Sequence, residues 1–306
     1  MKAITYSHYG SPDVLELTER PMPRVGPGMV LVKVKATSVN PVDWKIMAGY
    51  LDSFMDLQFP AIPGWDVAGT VEAVGIDAPH FKPGDEVISY GRKDYVHGGS
   101  FAEYIALPER LLARKPKSLD WNESAGLPLA GLTAFQVLNR LGLTSGETVL
   151  IHGGSGGVGS LAIQIAVVRG AKVIATSSEK NHDFLRSLGA EPVAYGEGLA
   201  ERVKALRPEG VDVVADFVGG NLDATLEVLA GNGRHASIAD NEVEAHGGTW
   251  MWVNPVGAEL QQLADLVDEH RIRVEVDTAL PLAEAADAFR LNMEGHTRGK
   301  IVVAVT

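Results

Sequence analysis

The chain has 306 residues, 45% of them hydrophobic and 22% charged, so it is long enough for two cores and too apolar to be disordered. Its formal net charge is −12 and it contains no cysteine, which argues against a nucleic-acid-binding surface and excludes disulfides, thiolate nucleophiles and thiolate metal ligands. No stretch approaches a membrane span, and the N-terminus "MKAITYSHYG" lacks the apolar core of a signal peptide. We therefore expect a cytoplasmic protein that acts on small molecules.

The first 124 residues predict a strand-rich lobe. Apolar and β-branched runs such as "MVLVKVKATSV", "VAGTVEAVG", "GDEVISY" and "FAEYIAL" are separated by turns such as "PRVGPG" and "FKPGDEV". Between the first two runs, "NPVDWKI" predicts a helix start. Asn40 is expected as the N-cap, with Pro41 at the first helical position and Asp43 reaching back to the cap.

From "GETVLIHGG" onward, strands alternate with helices. The apolar segments "AKVIATS", "VDVVADFVGG" and "RHASIA" are separated by segments of helical period, which predicts a parallel sheet with both faces covered. The C-terminal part contains a helix, "AELQQLADLVDEH", a segment of helical period, "PLAEAADAFRLNM", and a strand, "KIVVAVT". These units are too few to bury a core of their own, so we expect them to pack on the N-terminal lobe.

The segment "HGGSGGVGS" at residues 152–160 fits two motifs between a strand and a helix. It contains the G-x-S-x-G nucleophile elbow of a serine hydrolase, with Ser155 as the nucleophile, and the G-x-G-x-x-G loop that binds a dinucleotide. The hydrolase interpretation also needs an acid and a histidine. Asp216 with His235, His246 or His270 satisfies the chain order, so this alternative stays open.

The dinucleotide interpretation gives each glycine a task. Gly154 makes the tight turn, Gly156 lets the backbone approach the pyrophosphate, and Gly159 lets helix and strand pack closely. The predicted cofactor-binding loop is therefore Gly154, Ser155, Gly156, Gly157, Val158 and Gly159.

The next strand indicates which cofactor is bound. Enzymes of this fold that use NAD usually end this strand with an acidic residue, whereas "AKVIATS" ends at Ser177. Ser177 and Ser178 offer hydroxyl groups and Lys180 offers a positive charge to a 2′-phosphate. Glu179 is the counter-evidence, because its carboxylate could reach the ribose instead. The prediction is NADPH.

Several segments occur in the order typical of one family: "SVNPVDWKIMAG", "PGWDVAGTVEAVG", "GSFAEYIALP", "VLIHGGSGGVGSLAIQIA" and "RGKIVVAV". The whole chain resembles the medium-chain dehydrogenase/reductases, most of all their zinc-free quinone oxidoreductase branch. The resemblance implies an α/β fold, with a GroES-like β-rich catalytic domain (residues 1–124 and 257–306) and an inserted Rossmann domain with a doubly wound parallel sheet (residues 125–256). In this family the active site lies in the cleft between the two domains.

One departure separates this chain from the zinc-dependent relatives. They carry a Cys where this chain has Asn40 and a His where it has Trp65. An amide is a weak zinc ligand and an indole offers only an N–H donor, so no catalytic zinc is expected. Without a Lewis acid, reduction of an electrophilic acceptor is favoured over alcohol oxidation.

The resemblance also implies site residues beyond the glycine loop. Asn40 would border the nicotinamide, Thr133 would bond its carboxamide, and Tyr195 would lie against the 2′-phosphate. Lys45 is a candidate proton donor, although a solvated lysine is an equal alternative. The further cofactor-binding candidates are Val218, Ile238, Arg298 and Lys300. The candidate walls of the substrate pocket are Tyr50, Leu51, Trp65 and Trp252.

The predicted reaction is hydride transfer from NADPH to a quinone or an α,β-unsaturated carbonyl compound, in a homodimer. The alternatives are a serine hydrolase that uses Ser155 and an NADPH-binding protein with little turnover.

Overall fold

A computed structural model describes residues 1–305. The strands in the N-terminal part are β1 (Lys2–Thr5), β2 (Glu16–Glu19), β3 (Met29–Val39), β4 (Leu57–Ile62), β5 (Asp66–Val74), β6 (Glu86–Tyr90), β7 (Val96–Gly98), β8 (Tyr104–Pro108) and β9 (Leu112–Arg114). The helices there are α1 (Pro41–Met47), α2 (Trp121–Gly126) and α3 (Pro128–Arg140).

The alternating part that follows begins at residue 148. Its strands are β10 (Thr148–His152), β11 (Lys172–Ser177), β12 (Ala190–Ala194), β13 (Val211–Asp216), β14 (Leu229–Ser237) and β15 (Thr249–Trp250). Its helices are α4 (Gly157–Val168), α5 (His182–Ser187), α6 (Leu199–Leu206) and α7 (Leu222–Val228). The C-terminal elements are α8 (Gly257–Asp268), β16 (Val276–Pro281), α9 (Ala285–Glu294) and β17 (Lys300–Ala304).

The described chain divides into two compact units. Unit 1 comprises residues 1–132, 255–270 and 274 to the C-terminus, and unit 2 comprises residues 133–254 and 271–273. Among residues 1–305, no helix is both long enough and apolar enough to cross a bilayer.

Unit 1 is built on a sheet with strand order β16-β17-β3-β5-β6-β9, and β8 also pairs with β3. The C-terminal strand β17 runs antiparallel to β3, with Ile301 opposite Val39. The expected return of the C-terminus to the N-terminal lobe is therefore confirmed. One core cluster of the unit joins Phe101 to Phe289 across this part of the chain.

Unit 2 contains a parallel sheet in the order β12-β11-β10-β13-β14-β15. Every residue of the central strand β10 is buried, as expected for a parallel strand whose two faces are both covered. Leu150, Ile174 and Val214 meet α6 residues such as Val203 in one core cluster. The order is that of the Rossmann fold, in which the chain leaves the first strand in one direction and later returns to its other side. The predicted fold class is confirmed.

Candidate functional site

The carboxyl ends of the parallel strands bring the predicted cofactor residues of unit 2 together. Strands β10 and β13 are neighbours at the position where the strand order reverses, which is where open α/β sheets bind ligands. The glycine loop follows β10, Ser177 ends β11, Val218 follows β13 and Ile238 follows β14.

The glycine loop is anchored to the end of β11. The N–H of Gly153 donates to Thr176 Oγ1 at 3.0 Å, and the N–H of Gly154 donates to the Thr176 carbonyl at 2.8 Å. Gly153 has φ +77°, and a Cβ there would lie 2.4 Å from Val218 Cγ2. The loops after β10 and β13 are thus in direct contact, and only glycine fits at residue 153.

The three motif glycines differ in the space around them. A Cβ on Gly154 would lie 2.8 Å from Ala175 Cβ, and one on Gly159 would lie 2.1 Å from the Gly153 carbonyl oxygen. A Cβ on Gly156 would meet nothing closer than that same oxygen, at 3.5 Å. Gly154 and Gly159 are therefore required by packing, whereas the space beside Gly156 is open.

Gly156 is the N-cap of α4, a twelve-residue helix. The first N–H groups of a helix have no carbonyl partner within the helix, and they carry the positive end of its dipole. An open backbone at this point suits the approach of a phosphate group.

The polar side chains at the end of β11 differ in their exposure to solvent. Ser177 is buried and its hydroxyl donates to the Ser178 carbonyl at 3.0 Å. Ser178 is half-buried, and Glu179 and Lys180 are exposed. Ser178 and Lys180 are thus better placed than Ser177 to reach a bound ligand.

Tyr195 belongs to the same surface. The register of β11 and β12 pairs Ser177 with Ala194, so Ser178 and Tyr195 continue from neighbouring strand ends. The guanidinium of Arg202 donates to the Ala194 carbonyl at 2.9 Å and also contacts the Tyr195 carbonyl. These bonds hold the loop while the Tyr195 side chain is 61% exposed.

The loop after β13 is organised by Asp216. Its carboxylate accepts hydrogen bonds from the N–H groups of Val218 and Gly219 at 3.1 Å and from the Ser237 hydroxyl at 2.9 Å. Val218 remains exposed, and Ile238 is half-buried.

Two further predicted residues lie elsewhere in unit 2. Thr133 is buried in α3, and Trp252 is 38% exposed after β15.

The serine hydrolase interpretation is not favoured. Within residues 1–305, the non-glycine residues with positive φ are Asp77 and His270, so Ser155 lacks the strained backbone of a nucleophile elbow. His152 is buried with Nε2 facing the Thr225 hydroxyl at 3.2 Å, and His235 is buried against Gly248. Neither histidine is bonded to Ser155 in the described chain.

In unit 1, Asn40 is the N-cap of α1, as predicted. The Asp43 carboxylate accepts from the Asn40 N–H at 2.8 Å, so the predicted reach of Asp43 back to the cap is confirmed. The shortest hydrogen bonds of the Asn40 side chain go to residues outside the helix.

The Asn40 amide is instead held from both sides by buried charges. Its Nδ2 donates to Asp66 Oδ2 at 2.7 Å, and its Oδ1 accepts from the ammonium of Lys300. The same ammonium lies 3.6 Å from Asp66 Oδ2, and Asp66 Oδ1 accepts from the Leu129 N–H at 2.7 Å. The amide is therefore fixed in one orientation by one cation and one anion.

These buried charges shift one another's protonation. Burial, and to a smaller extent the charge of Asp66, raises the pKa of Asp43 to about 7. Burial also lowers the pKa of Lys300, against the opposing effect of Asp66 and Asp43.

The candidate catalytic Lys45 lies on the same helix, half-buried, with its ammonium 5.7 Å from the centre of the Trp44 ring. Tyr50 packs edge-on against that ring at 6.4 Å and is 68% exposed. Leu51 is half-buried. Lys45, Tyr50 and Trp44 thus form one amphipathic surface at the end of α1.

The remaining predicted residues of unit 1 are differently placed. Trp65 is buried and packs edge-on against Tyr90 at 5.9 Å. Arg298 is exposed and pairs with Glu275 at 3.0 Å. Among the described residues, no group of three His, Cys, Asp or Glu side chains is arranged to hold a metal ion.

The role of Asp66 was not predicted from the sequence. It directly follows Trp65 in "PGWDVAG", and an acidic residue at the start of an apolar strand is a signal that the side chain has a buried partner. Lys300 was predicted to contact the cofactor, whereas its ammonium is bonded to Asn40 and the Val39 carbonyl.

The two units together have the architecture of oxidoreductases that join a GroES-like domain to a Rossmann domain. Residues 26–117 match the family model of the alcohol dehydrogenase GroES-like domain, and residues 188–303 match that of a zinc-binding dehydrogenase. The chain belongs to the medium-chain dehydrogenase/reductase superfamily, in its zinc-free quinone oxidoreductase branch.

Similar proteins span the full chain. A chloroplast envelope quinone oxidoreductase homolog from Arabidopsis thaliana is 34% identical over 99% of this chain and 98% of its own length. An NADPH-dependent alkenal/one oxidoreductase from the same plant is 37% identical over 99% of this chain and 79% of its own length. The solved quinone oxidoreductase of Coxiella burnetii has a TM-score of 0.88 and 34% identity, and the match covers 100% of this chain and 99% of that one.

Proposed function

We propose that this protein is an NADPH-dependent reductase of quinones or α,β-unsaturated carbonyl compounds that works without zinc. In this proposal, residues 125–256 form the cofactor-binding domain, and residues 1–124 with 257–306 form the catalytic domain. The names of the similar proteins support both acceptor classes, because one is a quinone oxidoreductase homolog and another an alkenal/one oxidoreductase.

The open space beside Gly156 is the observation that carries the cofactor assignment. A Cβ there would meet only one backbone oxygen, at 3.5 Å, while the flanking glycines are closely packed. The residues present fit a pyrophosphate bound by the backbone N–H groups of the loop and the start of α4. When bound, NADPH supplies the hydride.

NADPH is favoured over NADH by the groups at the end of β11. Lys180 and Tyr195 are exposed and Ser178 is half-buried, and none of these side chains pairs with a carboxylate in the described chain. A free ammonium and hydroxyl groups favour a 2′-phosphate. Glu179 is exposed beside them, and its charge opposes that of Lys180.

Zinc independence is supported by the surroundings of Asn40. Its carbonyl oxygen already accepts from the Lys300 ammonium, so a second cation at this oxygen would be repelled. Trp65, at the second position where the zinc-dependent relatives place a ligand, offers no lone pair.

The remaining residues have roles in holding the acceptor and moving a proton. We assign Tyr50, Leu51, Trp65 and Trp252 to the walls of the acceptor site, Thr133 to the carboxamide of the cofactor, and Val218, Ile238 and Arg298 to cofactor binding. Lys45, beside Trp44 and Tyr50, is the candidate proton donor. Asn40, fixed by Asp66 and Lys300, provides a rigid polar contact without a mobile charge.

A panel of acceptors tests this proposal. Purified protein is supplied with NADPH or NADH, and cofactor oxidation is followed with simple quinones, alkenals, alkenones and saturated aldehydes. We expect turnover of quinones or of conjugated carbonyl compounds, no turnover of the saturated aldehydes, and a higher kcat/KM for NADPH. Tight NADPH binding without turnover of any acceptor would favour a binding protein instead.

A variant pair tests the cofactor preference. A charge-assisted hydrogen bond to phosphate contributes about 1.5–3 kcal/mol, so Lys180→Ala should weaken NADPH binding about ten- to a hundredfold and leave NADH binding almost unchanged. Lys172→Ala is the matched control, because Lys172 is exposed at the opposite end of the same strand. Equal losses for both cofactors would show that Lys180 does not contact the 2′-phosphate.

The homodimer and the cytoplasmic location stay predictions. Light scattering of the purified protein would measure the first. Fluorescence microscopy of the tagged chain in its own cell would determine the second.

A further inference from the structure

Unit 1 contains a cavity of about 330 Å³ with a basic lining. Its apolar wall includes Met22, Met29 and Ile105, and its cationic side chains are Arg20, Arg24 and Lys93; the Met1 ammonium, which also lines it, is paired with Glu19. No Asp or Glu is among the described residues that line it, although the whole chain has a formal charge of −12. A cavity that combines hydrocarbon with unneutralised positive charge suits a molecule with an apolar body and an anionic end.

The most informative group in this cavity is the Lys93 ammonium. It is half-buried and donates to the Gly98 carbonyl at 3.0 Å, and no carboxylate of residues 1–305 lies within 4 Å of it. Burial lowers the pKa of Lys93 to about 8. A cation removed from water without a counter-ion costs free energy, and a bound anion would offset that cost.

The two arginines add to the positive electrostatic potential in the cavity. The side chains of Arg20 and Arg24 have no ion pair with a carboxylate in the described part of the chain. Guanidinium groups are suited to carboxylates because two parallel N–H groups can bond both oxygens. The positive charges of these three side chains are therefore not neutralised by carboxylates of the described chain.

The cavity adjoins the predicted acceptor site. A narrow crevice shares Ile62, Lys93 and Gly98 with the cavity and extends to Trp65 and Gly91. Trp65 is one of the walls assigned above to the acceptor. The crevice is too narrow to hold a water molecule, so an acceptor with its far end beside Lys93 would have to widen it to bring its reacting end near Trp65.

We propose that this cavity binds the carboxylate of an acceptor, so that the enzyme prefers quinones or enones carrying a carboxylate at the end of an apolar chain. The proposal rests on the reductase function argued above and names the substrate class of that site. The apolar wall would bind the chain, and the three cations would bind the carboxylate.

Turnover of a matched pair of acceptors tests the proposal. The pair is an acyclic enone with a terminal carboxylate and the methyl ester of the same compound, which has the same reacting end and no charge. We expect kcat/KM for the acid to exceed that for the ester by about tenfold, since hydrogen bonds to charged groups contribute at least about 1.5 kcal/mol. In Lys93→Gln the advantage of the acid should disappear while turnover of the ester is retained.

The variants distinguish the effect of a lost positive charge from the effect of a disturbed loop. Lys93→Gln keeps an N–H donor for the Gly98 carbonyl, so the loop at residues 91–99 keeps its internal bond. Arg24→Gln removes a second cation from the cavity, and Lys82→Gln is the control, because Lys82 is an exposed cation of the same unit outside the cavity. We expect Arg24→Gln to reduce the preference and Lys82→Gln to leave it unchanged.

Three outcomes would overturn the proposal. They are equal turnover of acid and ester by the wild-type protein, an equal loss for both compounds in Lys93→Gln, and an effect of Lys82→Gln as large as that of Lys93→Gln. Each leaves the reductase function standing, because the ester is still reduced. Failure to reduce either compound, or any member of the acceptor panel, would instead contradict the reductase function itself.

Discussion

At the scale of single residues, the group around Asn40 is the most unusual feature of the protein. Asp43, Asp66 and Lys300 are all buried, and they are bonded to one asparagine. Buried charges seldom add net stability, because desolvation offsets their mutual attraction. We therefore interpret the cluster as a device that fixes the Asn40 amide.

The pH dependence of stability tests this interpretation, because the carboxyl group of Asp43 titrates in the folded protein. Its pKa of about 7 in the folded protein is above the ordinary 3.8, so the native state holds an extra proton between about pH 4 and pH 7. Wild-type stability should therefore contain a contribution that is lost as the pH rises through this window. Asp43→Asn keeps an oxygen acceptor for the Asn40 N–H and cannot ionise.

We expect Asp43→Asn to have a higher melting temperature than the wild type at pH 8, by roughly a few degrees, and a much smaller difference at pH 5. Thermal melts from pH 5 to pH 9 measure this. Glu72→Gln is the control. Glu72 is exposed, so the difference in melting temperature between this variant and the wild type should not increase from pH 5 to pH 8. A difference for Asp43→Asn that stays constant with pH would contradict the raised pKa.

The sequence predicted part of this group. The N-cap position of Asn40 and the reach of Asp43 follow from a local motif within four residues, and both were confirmed. The bonds from the Asn40 side chain to Asp66 and Lys300 join residues 26 and 260 positions apart. They depend on the pairing of β3 with β5 and β17, which no local pattern shows.

At the scale of elements, the glycine loop contains glycines that are required by packing and one that is required by ligand binding. Gly159→Ala would place a methyl group 2.1 Å from the Gly153 oxygen, and Gly156→Val would place its side chain in open space. We expect Gly156→Val to lose NADPH binding with only a small decrease in melting temperature, since valine is a poorer helix N-cap than glycine. Gly159→Ala should melt at a clearly lower temperature.

NADPH fluorescence titration and thermal melting measure the two effects, and Ser155→Ala is the control. It should bind and turn over like the wild type, because the backbone of the loop and not the hydroxyl contacts the phosphate in our account. If Gly156→Val still bound NADPH, or if Ser155→Ala abolished all activity, the assignment of the loop would be wrong.

Many elements could be predicted from periodicity. The run "MVLVKVKATSV" corresponds to β3 from its first residue to its last, and "AKVIATS" ends at Ser177 as β11 does. The short helix α2 was missed, although Asp120 and Glu123 form a capping box at its start. Several other strands were missed, among them β4, β7 and β15, in which two or three residues or an internal proline give no alternation to detect.

At the scale of the whole molecule, the absence of cysteine in the sequence and the amide and indole at positions 40 and 65 predict a metal-free enzyme. Reductase activity should survive prolonged dialysis against a strong chelator. Metal analysis of the purified protein should find far less than one zinc per chain. Loss of activity on chelation, restored by added zinc, would contradict this prediction.

The fold could be predicted as a whole, while the acceptor could not. The alternation of strands and helices and the glycine loop are local patterns that specify a Rossmann sheet, and the protein contains that sheet. The acceptor depends on the shape and charge of cavities formed by distant segments. Arg20 and Arg24, for example, lie in the loop between β2 and β3, whereas Lys93 lies between β6 and β7, and none of the three carries a motif.

The central claim is that the protein transfers hydride from NADPH to an electrophilic carbon or quinone. It is tested most directly with NADPH deuterated on the transferring face of the nicotinamide. A good enone acceptor from the panel is converted with each of the two stereospecifically deuterated cofactors, and the product is analysed by NMR. We predict deuterium at the β-carbon of the product from one of the two cofactors only. Product without deuterium from either cofactor, or cofactor oxidation without reduction of the acceptor, would contradict the account.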